Sequence, residues 1–178
     1  MIRRRSRHFK LHTPHSTLHS LQGTPSALCD LNKGADIIQE TDMDYFRPRM
    51  ELSEINKMSM LTLAHIGDGV YELLTRTMLC TQGSKSVTKL HFRTVSLVNA
   101  RAQAEGVKKI LPLLDEDELA VFKRGRNAKV NSIPQKATVG EYHSATGLEA
   151  LFGWLYLQGK EDRIELLFKA IMGDNDAS

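Results

Sequence analysis

The stretch LAHIGDGVYELL, residues 63–74, constrains the fold of this chain more than any other. Leu63, Ile66, Val70, Leu73 and Leu74 recur at helical spacing, which predicts a helix with one buried apolar stripe. Gly67-Asp68-Gly69 stands in its middle. Each glycine costs a helix interior about 0.8–1 kcal/mol relative to alanine. Aspartate is a poor helix former and is rarely buried without a partner. Such an acid can be a local cap, or it can pair with a basic side chain. It can also serve chemistry that needs a close approach to the backbone.

From Met43 onward the whole chain reads as helices. Ser59 can cap a helix running to about Cys80. TQGSKS is a loop. A second long helix is expected from about Thr88 to Ile110, with Leu90, Leu97, Ala104 and Leu111 along one face and Pro112 closing it. Asp115 followed by Glu118 has the capping-box spacing and opens a short helix through Lys123. RGRNAKVNSIPQKATVG reads as a basic loop containing Gly and Pro. A helix from about Glu141 to Gln158 follows, with Gly159 as C-cap candidate, and a last helix covers about Lys160 to Met172. No alternating strand pattern and no internal repeat is present, so the fold class is all-α.

Residues 1–42 have a different character, with Arg, His, Ser, Thr and Pro and no acid before Asp30. They are expected to be a disordered or non-native N-terminal extension, and an organelle transit segment is a further reading. His8, His12, His15 and His19 could bind a metal adventitiously. The folded domain is expected over residues 43–173, with a tail at 174–178. Cys29 and Cys80 show no metal-ligand spacing, which points to reduced thiols and a cytoplasmic location, with targeting by residues 1–42 left open. No apolar run approaches the 18 or so residues of a membrane span. The net charge of +3 permits a nucleic-acid partner, but only a local cluster of positive charge would argue for one.

Asp68 has a candidate partner in ATGLEALFGWLYL, where Glu149 is again a single acid in an apolar helix, with Gly147 and Gly153 close by. Two carboxylates brought together repel unless one holds a proton or a cation lies between them. Hard oxygen donors of this kind suit Mg²⁺, which takes one or two carboxylates plus phosphate oxygens and can neutralise charge on a reacting phosphate. Glu72 lies four residues after Asp68 on the same helical face, as a third acid of the site or as a solvated charge. KRGRNAK places Lys123, Arg124, Arg126 and Lys129 beside Asn127, with Lys136 further on. On a flexible loop, with Gly125 lending backbone freedom, these would contact phosphates; otherwise they form a solvated face. His91, Arg93 and Arg101 would extend that basic surface weakly, while His65 and His143 read as structural or surface residues.

LTLAHIGDGVYELLTR, TKLHFRTVSLVNARAQAEGV and KRGRNAKVNSIPQKATVGEYHSATGLEALFGWLYL, in that order, resemble the mini-ribonuclease III group, short relatives of the ribonuclease III catalytic domain. The resemblance spans about residues 44–172. It implies a ribonuclease III catalytic-domain-like helical bundle, a homodimer, and Mg²⁺-dependent endonucleolytic cleavage of double-stranded RNA. It also implies a role in maturing the precursor of large-subunit (23S) ribosomal RNA, and so in ribosome biogenesis. Asp68 matches the signature aspartate and Glu149 the glutamate of the second acidic motif. Ala64 and Thr146 stand where full-length ribonuclease III has two further acids, a reduction the mini-ribonucleases share. No separate RNA-binding domain is expected, and the glycines beside Asp68 are expected to clear the way for the RNA backbone.

Three other readings compete. A non-catalytic RNA-binding or ribosome-associated protein on the same fold would keep KRGRNAK and lose the acids, but Asp68 and Glu149 are present. A helical Mg²⁺-dependent nucleotide hydrolase would show Glu-x-x-Glu pairs facing its core. A purely structural bundle explains neither acid.

Overall fold

Residues 43–83, 86–129 and 137–173 are described by the computed structural model, all within the unit Asp42–Ser178. The expectations for residues 1–42, for Lys136 and for the tail at 174–178 lie outside the described residues. Within them the regular elements are α1 (Leu52–Ile55), α2 (Met60–Thr81), α3 (Val87–Val98), α4 (Ala100–Ile110), a 3₁₀ turn (Leu111–Leu113), α5 (Glu116–Arg126), α6 (Val139–Leu157) and α7 (Glu161–Met172). No strand occurs among the described residues, and no helix among them is long and apolar enough to cross a membrane.

Helix α6 is the centre of the bundle. Its run from Ala145 to Leu155 is buried on nearly every side, as expected for a helix without a polar face. α2, α4, α5 and α7 pack around it. The α2–α6 crossing brings backbone against backbone. A Cβ on Gly67 would overlap the Glu149 carbonyl oxygen, and one on Gly153 would overlap the Leu63 carbonyl oxygen. Beyond the crossing, the Tyr71 ring meets Phe152 and Phe168 edge-on at centroid distances of 5.7 and 5.6 Å, a favoured aromatic geometry.

Four expectations need correction. First, the inward face of α2 is Leu63, Ala64, Gly67, Tyr71, Thr75 and Leu79. Ile66, Val70 and Leu74 are only half-buried and Leu73 is exposed, so of the apolar stripe read from the sequence only Leu63 lies on the inward face. Second, the long helix through 88–110 is two helices. Asn99 is extended at ψ 157°, its side chain accepts from Ala102 N at 3.0 Å, and it donates to the carbonyls of Val95 and Ser96 at 3.0 and 2.9 Å. One asparagine thus closes α3 and caps α4. Third, α5 continues through Arg126, so Lys123, Arg124 and Arg126 lie in its last turn and not on a loop. Gly125 is buried there because a Cβ would come within 2.6 Å of Ala150 Cβ; it serves close packing rather than freedom. Fourth, α6 begins at Val139, where Thr138 and Glu141 form a capping box.

α5 and α7 are tied together by one ion pair. The expected Asp115–Glu118 capping box is present, and it fixes Glu118 almost wholly buried. Arg163 then donates to both Glu118 carboxylate oxygens at 2.8 and 2.7 Å and to the Leu113 carbonyl at 2.6 Å. Two-pronged pairing of this kind satisfies a buried carboxylate that would otherwise be costly.

Candidate active site

The α2–α6 crossing that Gly67 makes possible sets the position of two acids. Glu149 contributes its backbone carbonyl to the contact with Gly67, and Asp68 is the next residue along α2. Asp68 is exposed, whereas the Glu149 side chain is set mostly into the protein. Burial, and then the charge of Asp68, push the Glu149 carboxyl up to about 7, with the Gln103 side chain acting in the opposite direction. Although the residue is exposed, partial loss of solvent around its carboxyl raises Asp68, with Glu72 adding to the rise and His65 opposing it. The two acids feel each other's charge and titrate as a coupled pair.

Glu72 lies close enough to Asp68 for its charge to be felt there, yet it forms an ion pair with Arg76 one turn away. Ala64 and Thr146 flank the acids as neutral buried residues, and the Thr146 hydroxyl is committed to the Tyr142 carbonyl at 3.0 Å. The site's negative charge therefore comes from Asp68 and Glu149, with Glu72 at its edge. Among the described residues no group of three or more His, Cys, Asp or Glu is placed to hold a metal ion. The donor set of Asp68 and Glu149 is nevertheless of the right kind for a hard cation that completes its shell with water and phosphate oxygens.

Two neighbours of the acids carried no functional reading in the sequence. Gln103 is the more informative. It shares a buried face of α4 with Val107 and Ile110, at i, i+4 and i+7, so an amide amid apolar positions was a visible signal. His65 precedes Asp68 by three residues, a spacing that places both on one side of a helix.

The basic residues stand apart from this crossing in chain position. Lys123, Arg124 and Arg126 are exposed on the last turn of α5, Asn127 is its C-cap, and exposed Lys129 follows. Cations at a helix C-terminus are also favoured by the helix dipole, so their presence there has a local reason as well.

Comparison with known proteins matches residues 61–160 to the ribonuclease III domain family, a span that includes both acids. The chain belongs to the ribonuclease III family. Within it, the chain is 48% identical over 108 residues to the Mini-ribonuclease 3 of a Thermoanaerobacter species, covering 61% of this chain and 76% of that one. It is 39% identical over 120 residues to the Mini-ribonuclease 3 of Clostridium tetani, covering 67% and 80%. It is 40% identical over 121 residues to that of Symbiobacterium thermophilum, covering 68% and 93%. A crystal structure of a protein from Fusobacterium nucleatum matches with a TM-score of 0.61 at 35% identity, over 67% of this chain and 95% of that one. Membership makes this chain an endoribonuclease of the ribonuclease III type, and the helical bundle described above agrees with that family's fold.

Proposed function

We propose that the chain is a Mg²⁺-dependent endoribonuclease of double-stranded RNA, with residues 43–173 as its catalytic domain and Asp68 and Glu149 as its catalytic acids. The observation that carries this reading is the placement of one exposed and one half-buried carboxylate at the α2–α6 crossing, coupled through their charges. Asp68 and Glu149 would hold the ion, which supplies water activation and charge neutralisation at the phosphodiester. The chain's own part is to fix both carboxylates on helices that cannot shift, because backbone meets backbone where they cross. Asp68, being exposed, is the acid a phosphate reaches from solvent.

Lys123, Arg124, Arg126, Asn127, Lys129 and Lys136 would contact phosphates, since duplex RNA is recognised mainly through shape, phosphates and 2′-hydroxyls. A precursor of large-subunit ribosomal RNA is the proposed cellular substrate, on family resemblance alone, and the proposed location is cytoplasmic.

The proposed homodimer has support of its own. A groove of about 1030 Å³ runs between α2 and α7, lined by Ile66, Gly69, Val70, Leu73, Phe168 and Met172 among others. Leu73 is 62% exposed there. A Cβ on Gly69 would meet nothing within 4 Å, so the described residues give no reason for a glycine in mid-helix. A second copy that seats its helix on this face supplies one, and two-fold pairing presents two acid sites to the two strands of a duplex.

The test is to incubate the protein with long duplex RNA, single-stranded RNA and duplex DNA, each with and without Mg²⁺. Duplex RNA alone should be cut, and only with Mg²⁺. Asp68→Asn and Glu149→Gln should each abolish cleavage while leaving duplex binding intact; near wild-type cutting by either removes that acid from the chemistry. In the Asp68→Asn background, replacing Arg124, Arg126 and Lys129 by Ala should flatten the dependence of binding on salt, because each phosphate contact contributes to that slope. An unchanged slope would leave these residues only their place at the end of α5.

A further inference from the structure

We infer that Gln103 is a positioning residue for Glu149, its buried amide holding the Glu149 carboxylate in place beside Asp68. This rests on the reading of Glu149 as a catalytic acid.

Gln103 lies on α4, which packs against α6, and it is only 1% exposed. Its Nε2 is buried and completes no hydrogen bond of ordinary geometry among the described residues. The one described side chain whose hydrogen bonding favours the charged form of Glu149 is this same amide. The Gln103 N–H group is therefore beside the carboxylate without being closed onto it. Gln has two N–H donors and one carbonyl, and burial with a donor unpaired is costly. An unbranched apolar residue of equal length would fill the same space between Ala104, Val107 and α6 without that cost. An unpartnered buried amide at this position is a cost to the bundle that its place beside the Glu149 carboxylate accounts for.

Its chemistry fits that place. When Glu149 is ionised, an N–H donor engages one carboxylate oxygen in a charge-assisted bond. The other oxygen stays free to act with Asp68. Side chains that orient ligating carboxylates in this way typically affect metal affinity or turnover 10–100-fold. Thr146, the nearest hydroxyl along α6, is already committed to the Tyr142 carbonyl and cannot take over.

The experiment compares Gln103→Met, which keeps length and removes the amide, with Gln103→Asn, which keeps the amide but withdraws it by one methylene. Three quantities are measured on each purified protein: Tm, the rise in Tm on adding Mg²⁺ without RNA, and the kcat and KM for duplex RNA. Gln103→Met should keep or raise Tm, lose part of the Mg²⁺-dependent rise, and lower kcat about 10–100-fold with KM unchanged. Gln103→Asn should lower kcat in the same way. A purely structural role predicts a lower Tm with kcat intact, and wild-type kcat in both variants would overturn the inference. Glu149→Gln separates the two levels. If it cuts like wild type, the reading of Glu149 fails; if it is inactive while Gln103→Met keeps full kcat, only the role of Gln103 fails.

Discussion

One face of α2 is packed against α6 and the other lines an open groove, and three consecutive residues mark the difference. Gly67 faces α6 with no room for a side chain, because a Cβ would overlap the Glu149 carbonyl oxygen and approach Gly153 N at 2.7 Å. Gly69 faces the open groove with α7, where a Cβ meets nothing. Asp68 stands between them and is exposed. The inward face is closed by backbone contact, whereas the outward face is apolar and incomplete. The expectation that both glycines clear a path for RNA is wrong for Gly67, which serves the helix crossing. One residue type, two positions apart, answers to two different physical demands.

The packed face should yield the largest effect. Gly67→Ala puts a methyl group into the α2–α6 backbone contact, where no flexible side chain can give way. Overpacking against backbone should cost about 3 kcal/mol or more. That lowers Tm by roughly 10 °C in a domain of this size. Activity should fall with it, since the same contact places Glu149. Thermal unfolding of the purified variant checks this, and a Tm within a degree or two of wild type would mean that the crossing is loose enough to open.

The next effect is electrostatic and belongs to the same face. The Glu149 carboxyl sits at about 7 in the folded chain against an ordinary value of 4.5. The folded state therefore binds more protons than the unfolded state between those values, and stability falls as pH rises through them. The loss is up to about 3 kcal/mol and is complete above the folded value. Gln is neutral throughout. Glu149→Gln should thus raise Tm at pH 8 in a metal chelator, with the gain shrinking as pH falls toward 4.5. A gain that is equal at both ends of the range would place the effect in packing rather than charge.

How much of this was legible depends on the kind of signal. Ser59 and Asp115 announced the starts of α2 and α5 because a cap is a local pattern. That Asp68 and Glu149 lie near enough to feel each other's charge was readable because both are lone acids with small neighbours. Asn99 was missed because its single extended residue hardly disturbs the spacing of Leu90, Leu97 and Ala104. The orientation of α2 was misread because Ala64, Gly67 and Thr75 carry little hydrophobic signal, although all three face inward and Gly67 makes the backbone contact with α6. Ile66, Val70 and Leu73 carry strong signal and face the groove. Small residues mark where helices touch, and large apolar ones on the other face line the open groove beside α7. Gly125 was taken for flexibility for the same reason: sequence shows a missing side chain but not what fills the space.

The open face is next. Leu73→Glu places a charge on the exposed lip of the groove in each subunit. If two copies meet there, both charges become buried or adjacent, and dimer affinity should fall on the order of 100-fold, the ratio that about 2.7 kcal/mol gives. Sedimentation across a range of concentrations reads this directly. An unaltered dimer would move the interface away from α2 and α7.

The smallest effect is also the most discriminating, because it has opposite signs in the two states of the protein. Within a single chain, Gly69→Ala adds a methyl group in open space and replaces a poor helix residue by the best one. That should stabilise α2 by about 0.8–1 kcal/mol. Across a dimer interface the same methyl group would stand where the second copy approaches, and dimer affinity should fall several-fold. The substitution is therefore made twice, alone and in the Leu73→Glu background that removes the dimer. In that background Tm should rise by a few degrees. Alone, the helix gain should be offset by the weakened association, and Tm should depend less steeply on protein concentration than in wild type. If Gly69→Ala raises Tm equally in both backgrounds and leaves the dissociation constant unchanged, then no second copy reaches Gly69.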